Sequence, residues 1–206
     1  MRLAQTLSAW VMGALVVMMA SEAQAQWSAT AYVDNNVIGD VQGGRLGAGA
    51  SAGFYLRGGL GLELDGELHG HYFRDSSVAG LAPDGVDMNT RAGLASLNVV
   101  IPVCFRGVAG RWCPYGVLGV GLIRASFDGT AHAPGTEDVH RVQTDPALHA
   151  GVGVIHALTS WLGFRVDARY IRAFVDDKAE TAGYFADYGY CRLSVGLIFG
   201  GPASGP

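Results

Sequence analysis

The sequence predicts an all-β chain, an eight-stranded antiparallel up-and-down transmembrane β-barrel, on three observations. Successive segments alternate apolar and polar residues with period two. No segment sustains the i, i+3, i+4, i+7 apolar spacing of an amphipathic helix. The connections between the segments alternate in length.

Composition narrows the environment. A chain of 206 residues suits one domain. It is 50% hydrophobic and only 16% charged, yet no apolar run reaches the roughly 20 residues of a membrane helix. Lys178 is the only lysine, against thirteen arginines. Soluble domains solvate their surfaces with mixed charge, lysine included, so this chain has little water-facing wall. A net charge of −4 and the lack of a basic patch exclude a nucleic-acid binder.

Residues 1–25 read as a secretory signal peptide. Arg2 gives the positive start, Leu7 to Ala20 the apolar stretch, and Ala23-Gln24-Ala25 the small residues of a cleavage site. An N-terminal membrane anchor is the alternative. Cleavage leaves residues 26–199 as the barrel domain and 200–206 as a short C-terminal tail. The mature chain then folds where disulfides are permitted. Cys104 and Cys113 enclose eight residues without metal-ligand spacing, which points to a disulfide clasping a turn, with two free thiols as the alternative. Cys191 is expected to be unpaired and lipid-facing.

The strands are expected at about 27–37, 45–56, 60–73, 88–103, 114–126, 142–156, 161–173 and 188–199. Most run ten residues or more, and a tilted strand needs roughly 9–11 to cross a bilayer. In the third, Leu60, Leu62, Leu64 and Leu68 fall on one face, and Glu63, Asp65, Glu67, His69 and His71 on the other. In the seventh, Arg165, Asp167 and Arg169 oppose Leu162, Phe164, Val166, Ala168 and Tyr170. In the eighth, Arg192 opposes Leu193, Val195, Leu197 and Phe199. Gly116, Gly119, Gly121, Gly151 and Gly153 leave the faces of the fifth and sixth strands unassigned; glycine within a strand marks a bend or a close approach. Short connections near 57–59, 104–113 and 157–160 alternate with longer ones near 38–44, 74–87, 127–141 and 174–187. Short periplasmic turns and long outer loops are the pattern of bacterial membrane barrels.

A soluble periplasmic barrel also alternates, with its apolar face inside. The membrane reading is preferred because the charged faces mix both signs and lack lysine, and because aromatics fall near segment ends: Trp27, Tyr55, Tyr72, Phe73, Tyr115, Trp161, Tyr170, Tyr188 and Phe199. Such barrels carry aromatic girdles at both interfaces. Eight strands close a lumen that side chains can fill.

Pro114-Tyr115-Gly116-Val117-Leu118-Gly119-Val120-Gly121 resembles a strand typical of the outer-membrane protein A-like and opacity-protein barrels. So do Gly151-Val152-Gly153-Val154 running into Leu158 to Tyr170, and the closing Arg192 to Phe199. The resemblance spans roughly 27–199. It implies an eight-stranded outer-membrane barrel with inward arginines and acids bonded across the lumen. It does not imply wall tethering, since only Gly200 to Pro206 follows the last strand. The family's assembly signal usually ends the chain on an aromatic, whereas Phe199 here precedes seven further residues.

The candidate site is therefore a lumen ion-pair network of Glu63, Asp65, Glu67, Arg165, Asp167, Arg169 and Arg192, acting as an ionic plug or gate or as a structural polar core. Opposite charges in a narrow interior need one another. His69 and His71 share a face with Glu67, a set that suits several divalent ions, but the expectation is no metal and no other cofactor. Catalysis needs a nucleophile, a base and an orienting group within reach; His140 and His149 have no convincing serine partner on one face, so no catalytic residue is assigned. The outer loops are acidic, with Asp40, Asp75, Asp84, Asp87, Asp128, Glu137, Asp138, Asp176, Asp177, Glu180 and Asp187 facing chiefly Arg74, Arg141 and Lys178; the short turns carry Arg57, Arg106 and Arg111. The expected partners are outer-membrane lipids, lipopolysaccharide through bridging cations, and the outer-membrane assembly machinery. The expected function is structural or surface-interacting. A narrow pore or gated channel and a lipid-A-modifying enzyme are the alternatives.

Overall fold

The computed structural model describes residues 26–39, 46–56, 60–70, 86–103, 112–131, 139–175 and 188–200. The segment 1–25, His71, Tyr72, Phe73, Cys104 and most of the acidic loop residues lie outside them. Eight strands follow one another in chain order: β1 (Gln26–Gly39), β2 (Leu46–Tyr55), β3 (Gly61–Gly70), β4 (Val86–Pro102), β5 (Trp112–Ala131), β6 (Val139–Ala157), β7 (Leu162–Ala173) and β8 (Tyr188–Gly200). Each pairs antiparallel with the next, and β1 pairs with β8 to close the barrel. Closure removes every free sheet edge, so all strands satisfy their backbone groups laterally, as a strand-built membrane span must. A register shift between Asn36 and Ile38 marks a bulge in β1 where it meets β8.

Local chemistry sets the turns. Between β6 and β7, Thr159 Oγ1 accepts from the Leu162 N–H at 3.0 Å, while the N–H groups of Leu158 and Thr159 both donate to the Leu162 carbonyl at 2.9 Å. Both termini of the barrel and this turn share one end, the turn end; the long connections leave from the other, the loop end.

The expected segments coincide with the observed strands, with one substantial correction. Residues 127–141 were expected to be loop. Instead β5 extends to Ala131 and β6 begins at Val139, with Phe127 opposite Arg141, Asp128 opposite His140 and Gly129 opposite Val139. The physical reason is an inversion of polarity. Near the loop end the inward residue Phe127 is apolar and the outward ones, Ser126 and Asp128, are polar. Alternation continues, but its sign is reversed from that of the membrane-height segments.

The outer wall exposes a belt of large apolar side chains on every strand. Leu46, Leu64 and Leu68 are 74%, 65% and 73% exposed, and Leu97, Leu118, Val120, Leu122, Leu148, Val152, Leu193 and Leu197 continue the belt. A contiguous apolar surface of this extent is foreign to soluble monomers. At the turn end, outward aromatics form a girdle: Trp27 packs on Phe54 with centroids 5.5 Å apart, Trp161 stacks on Phe199 at 6.3 Å, and Trp112 lies on His156 at 4.1 Å. Tyr55, Tyr115 and Tyr188, expected in the girdles, point into the lumen and are buried. Position near a strand end does not fix a face; strand parity does, and these tyrosines share the parity of the lumen residues.

The lumen is packed in three zones. At the turn end Tyr55, Val100, Cys113, Tyr115, Val117, Ile155 and Ile198 form an apolar cluster. Toward the loop end Ile123, Ala125, Phe127, Ile171, Tyr188 and Tyr190 belong to a second. Charged side chains fill the space between.

Candidate functional site

Six of the charged lumen residues come from two strands. The period of two puts Glu63, Asp65 and Glu67 of β3 and Arg165, Asp167 and Arg169 of β7 on inward positions, and all are buried. These strands are not neighbours in the wall, so the contacts cross the lumen. Arg165 makes a forked contact with Glu63, through Nη1 to Oε2 and through Nη2 to Oε1 at 3.3 Å. Its Nε donates to the Tyr115 hydroxyl at 2.7 Å, and that hydroxyl donates to Asp167 Oδ2 at 2.9 Å. Asn98 Nδ2 donates to Glu63 Oε1 at 3.3 Å. Arg169 holds Asp167 through Nε (3.0 Å) and Nη2 (3.2 Å), and reaches Glu63 Oε1 at 3.4 Å and Asp65 Oδ1 at 3.8 Å. Arg192 of β8, with 0% of its surface exposed, contacts Glu67 Oε2 and lies 3.5 Å from Asp65 Oδ1 and 3.7 Å from Asp167 Oδ1. Tyr32 of β1 donates to Asp65 Oδ2 at 3.0 Å. The guanidiniums of Arg165 and Arg192 also lie over the rings of Tyr115 and Tyr32, at 4.9 and 5.3 Å.

The seven residues assigned to the lumen thus form one connected cluster. Tyr32, Asp34, Asn98, Tyr115 and His149 also line it. For β1 the signal was present: Ser28, Thr30, Tyr32, Asp34 and Asn36 are a polar set at period two.

Glycine makes the cross-wall contacts possible. Tyr115, Gly153 and Asp167 stand in register on β5, β6 and β7. A Cβ at Gly153 would meet the Tyr115 ring and hydroxyl, and the Asp167 Cβ at 2.7 Å. Without a side chain there, Tyr115 bonds Asp167 over the intervening strand. Gly119 does the same between Asn98 and His149, whose ends a Cβ would strike. Gly153→Val is therefore expected to break the Tyr115–Asp167 bond and to lower stability by about 1–3 kcal/mol, the range for overpacking. Denaturant unfolding of the refolded protein measures it; an unchanged midpoint would contradict the assignment.

Cys113 is buried in the turn-end cluster; Cys104 lies outside the described residues. Cys191 is a free cysteine on the outward parity of β8. His149 is buried in the lumen, whereas His140 faces outward, with Nδ1 2.6 Å from Asp128 Oδ1. The two histidines thus lie on opposite faces of β6.

No protein-family model matches the chain, and no curated protein matches it. Solved structures do. Neisserial surface protein A aligns at 18% identity with a TM-score of 0.52, over 85% of this chain and 94% of that one. The attachment invasion locus protein Ail of Yersinia pestis aligns at 16% identity and a TM-score of 0.52, over 87% and 99%. A major outer membrane protein from Thermus thermophilus aligns at 14% identity and a TM-score of 0.64, over 85% and 99%. With its closed eight-strand order and apolar outer wall, the chain has the fold of the small outer-membrane β-barrels.

Proposed function

We propose that the protein is an outer-membrane β-barrel of structural or surface-interaction type, with a closed, ion-paired lumen and acidic loops on the outer side. The observation that carries this reading is the pairing of an apolar outer wall with a charged interior, the inverse of a soluble domain. Hydrocarbon accepts the leucine belt, and each lumen arginine finds acids to pair with where water is scarce. The interior speaks against the narrow-pore alternative. A water path needs polar lining from end to end, and here apolar clusters flank the ionic zone on both sides. The acidic loops suit bridging divalent cations and hence the phosphates of lipopolysaccharide. The strands themselves are the substrate of the assembly machinery.

After cleavage of residues 1–25, the protein is expected in the outer-membrane fraction and to migrate faster on gels when left unheated. Recovery from the soluble periplasmic fraction would overturn the proposal. A Cys104–Cys113 disulfide is the natural clasp of the β4–β5 turn. Closing a loop of about ten residues stabilises by roughly 2–3 kcal/mol on the chain-entropy model. Mass spectrometry of unreduced protein is expected to find both thiols oxidised; two free thiols would refute the clasp.

A further inference from the structure

The lumen network carries more negative than positive charge. Five carboxylates (Asp34, Glu63, Asp65, Glu67 and Asp167) connect through contacts of 4 Å or less with three guanidiniums (Arg165, Arg169 and Arg192) and with His69. With every carboxyl group ionised and a neutral imidazole the excess is two negative charges, among side chains no more than 5% exposed. Such an excess is costly unless something compensates it.

The excess is localised. Among the described residues Asp34 is within ion-pair reach of His69 and of no arginine. It is 2% exposed, and neither of its carboxylate oxygens accepts a hydrogen bond among the described residues. Its Oδ1 is 3.1 Å from His69 Nε2, and Glu67 Oε1 is 3.6 Å from the same nitrogen. One ligand atom from each of the three residues fits within a 4.8 Å group. Donors about 2.0–2.2 Å from one zinc ion stand roughly 2.9–3.6 Å apart, a range that includes both separations from His69 Nε2. Arg192 engages the other oxygen of Glu67, which leaves Oε1 turned toward the group.

The backbone is shaped for this meeting. Asp34, Gly47 and His69 are in register on β1, β2 and β3. A Cβ at Gly47 would strike Asp34 Oδ1 and the His69 ring. Glycine there lets side chains from two non-adjacent strands converge over the strand between them. His69 is the penultimate residue of β3, which places the group in the loop-end half of the lumen.

We propose that Asp34, Glu67 and His69 bind one divalent transition-metal ion of the zinc type, which neutralises the lumen and ties β1 to β3. A nitrogen and two carboxylate oxygens suit such an ion.

The test uses the whole mature barrel, refolded in detergent without a histidine tag and stripped with a chelator. Zinc titrated against a chromophoric competitor is expected to bind one ion per barrel, and to raise the melting temperature reversibly. Asp34→Asn is expected to weaken binding by at least about 100-fold, since even residues that only orient ligands cost 10–100-fold. Asp145→Asn removes a buried lumen acid held by Gln143, outside the group, and is expected to bind zinc as the parent does. If Asp34→Asn does not fold, His69→Gln replaces it, and the wild-type titration stands alone as a test. A folded wild type that binds no zinc and melts alike with and without chelator would overturn the proposal. Equal binding by wild type and folded Asp34→Asn would overturn it too.

Discussion

Alanine at Arg165 and Arg169 together is expected to be the most damaging change to the barrel interior. Arg165 holds Glu63 across the lumen, and Arg169 holds Asp167, two residues away on its own strand. Removing one partner of a buried ion pair costs about 3–5 kcal/mol, because the other charge stays buried without compensation. The double variant is expected to unfold at a much lower denaturant concentration, or to fail to show the compact form on unheated gels. Much of that cost is the stranded charge rather than the lost attraction. Adding Glu63→Gln and Asp167→Asn to the arginine variant is therefore expected to recover part of the stability, a coupling that a mutant cycle reads directly. An unchanged unfolding midpoint in the double alanine variant would mean that the network does not hold the barrel.

Arginine at Leu64 is expected to have the next largest effect, and for the opposite reason. Leu64 lies at the middle of β3, on the outer wall, with 65% of its surface exposed. On a soluble protein an exposed leucine tolerates a charge within about 0.5 kcal/mol. At the midplane of a bilayer an outward arginine costs about 2–4 kcal/mol, falling toward zero near the interfaces. Leu64→Arg in lipid vesicles is expected to lower stability by that amount, and arginine at Leu46, at the loop end of β2, by much less. Equal and negligible effects at both positions would place this wall in water.

The sequence was most legible where the two faces of a strand differ in kind. In β3, β7 and β8 one face is leucine, valine or aromatic and the other charged, and parity alone assigned the residues that the structure brings together. In β5 the contrast fails. Leu118, Val120 and Leu122 face outward while Val117, Ile123, Ala125 and Phe127 face inward, so both sides read as apolar. That segment packs the ends of the lumen, and packing a narrow tube shut needs apolar side chains on the inside as well. Glycine hid the rest. Gly119 and Gly153 looked like gaps in the alternation, yet their lack of a side chain is what allows Asn98 to approach His149 and Tyr115 to reach Asp167. Such a role is a relation between three strands and has no signature in any one of them. The same holds for Asp34. Sequence proximity pairs His69 with His71, which lies outside the described residues; Asp34, which the barrel register places beside His69 across Gly47, is remote in the chain.

The central claim is a membrane barrel whose lumen is closed by paired charges between two apolar clusters. Ion conductance of the refolded wild-type protein in a planar lipid bilayer tests it most directly. The account predicts insertion without discrete, reproducible conductance steps, and the appearance of such steps or of leakage once Arg165 and Arg169 are both alanine. Stable unitary conductance from the wild type, unchanged by those substitutions, would contradict it.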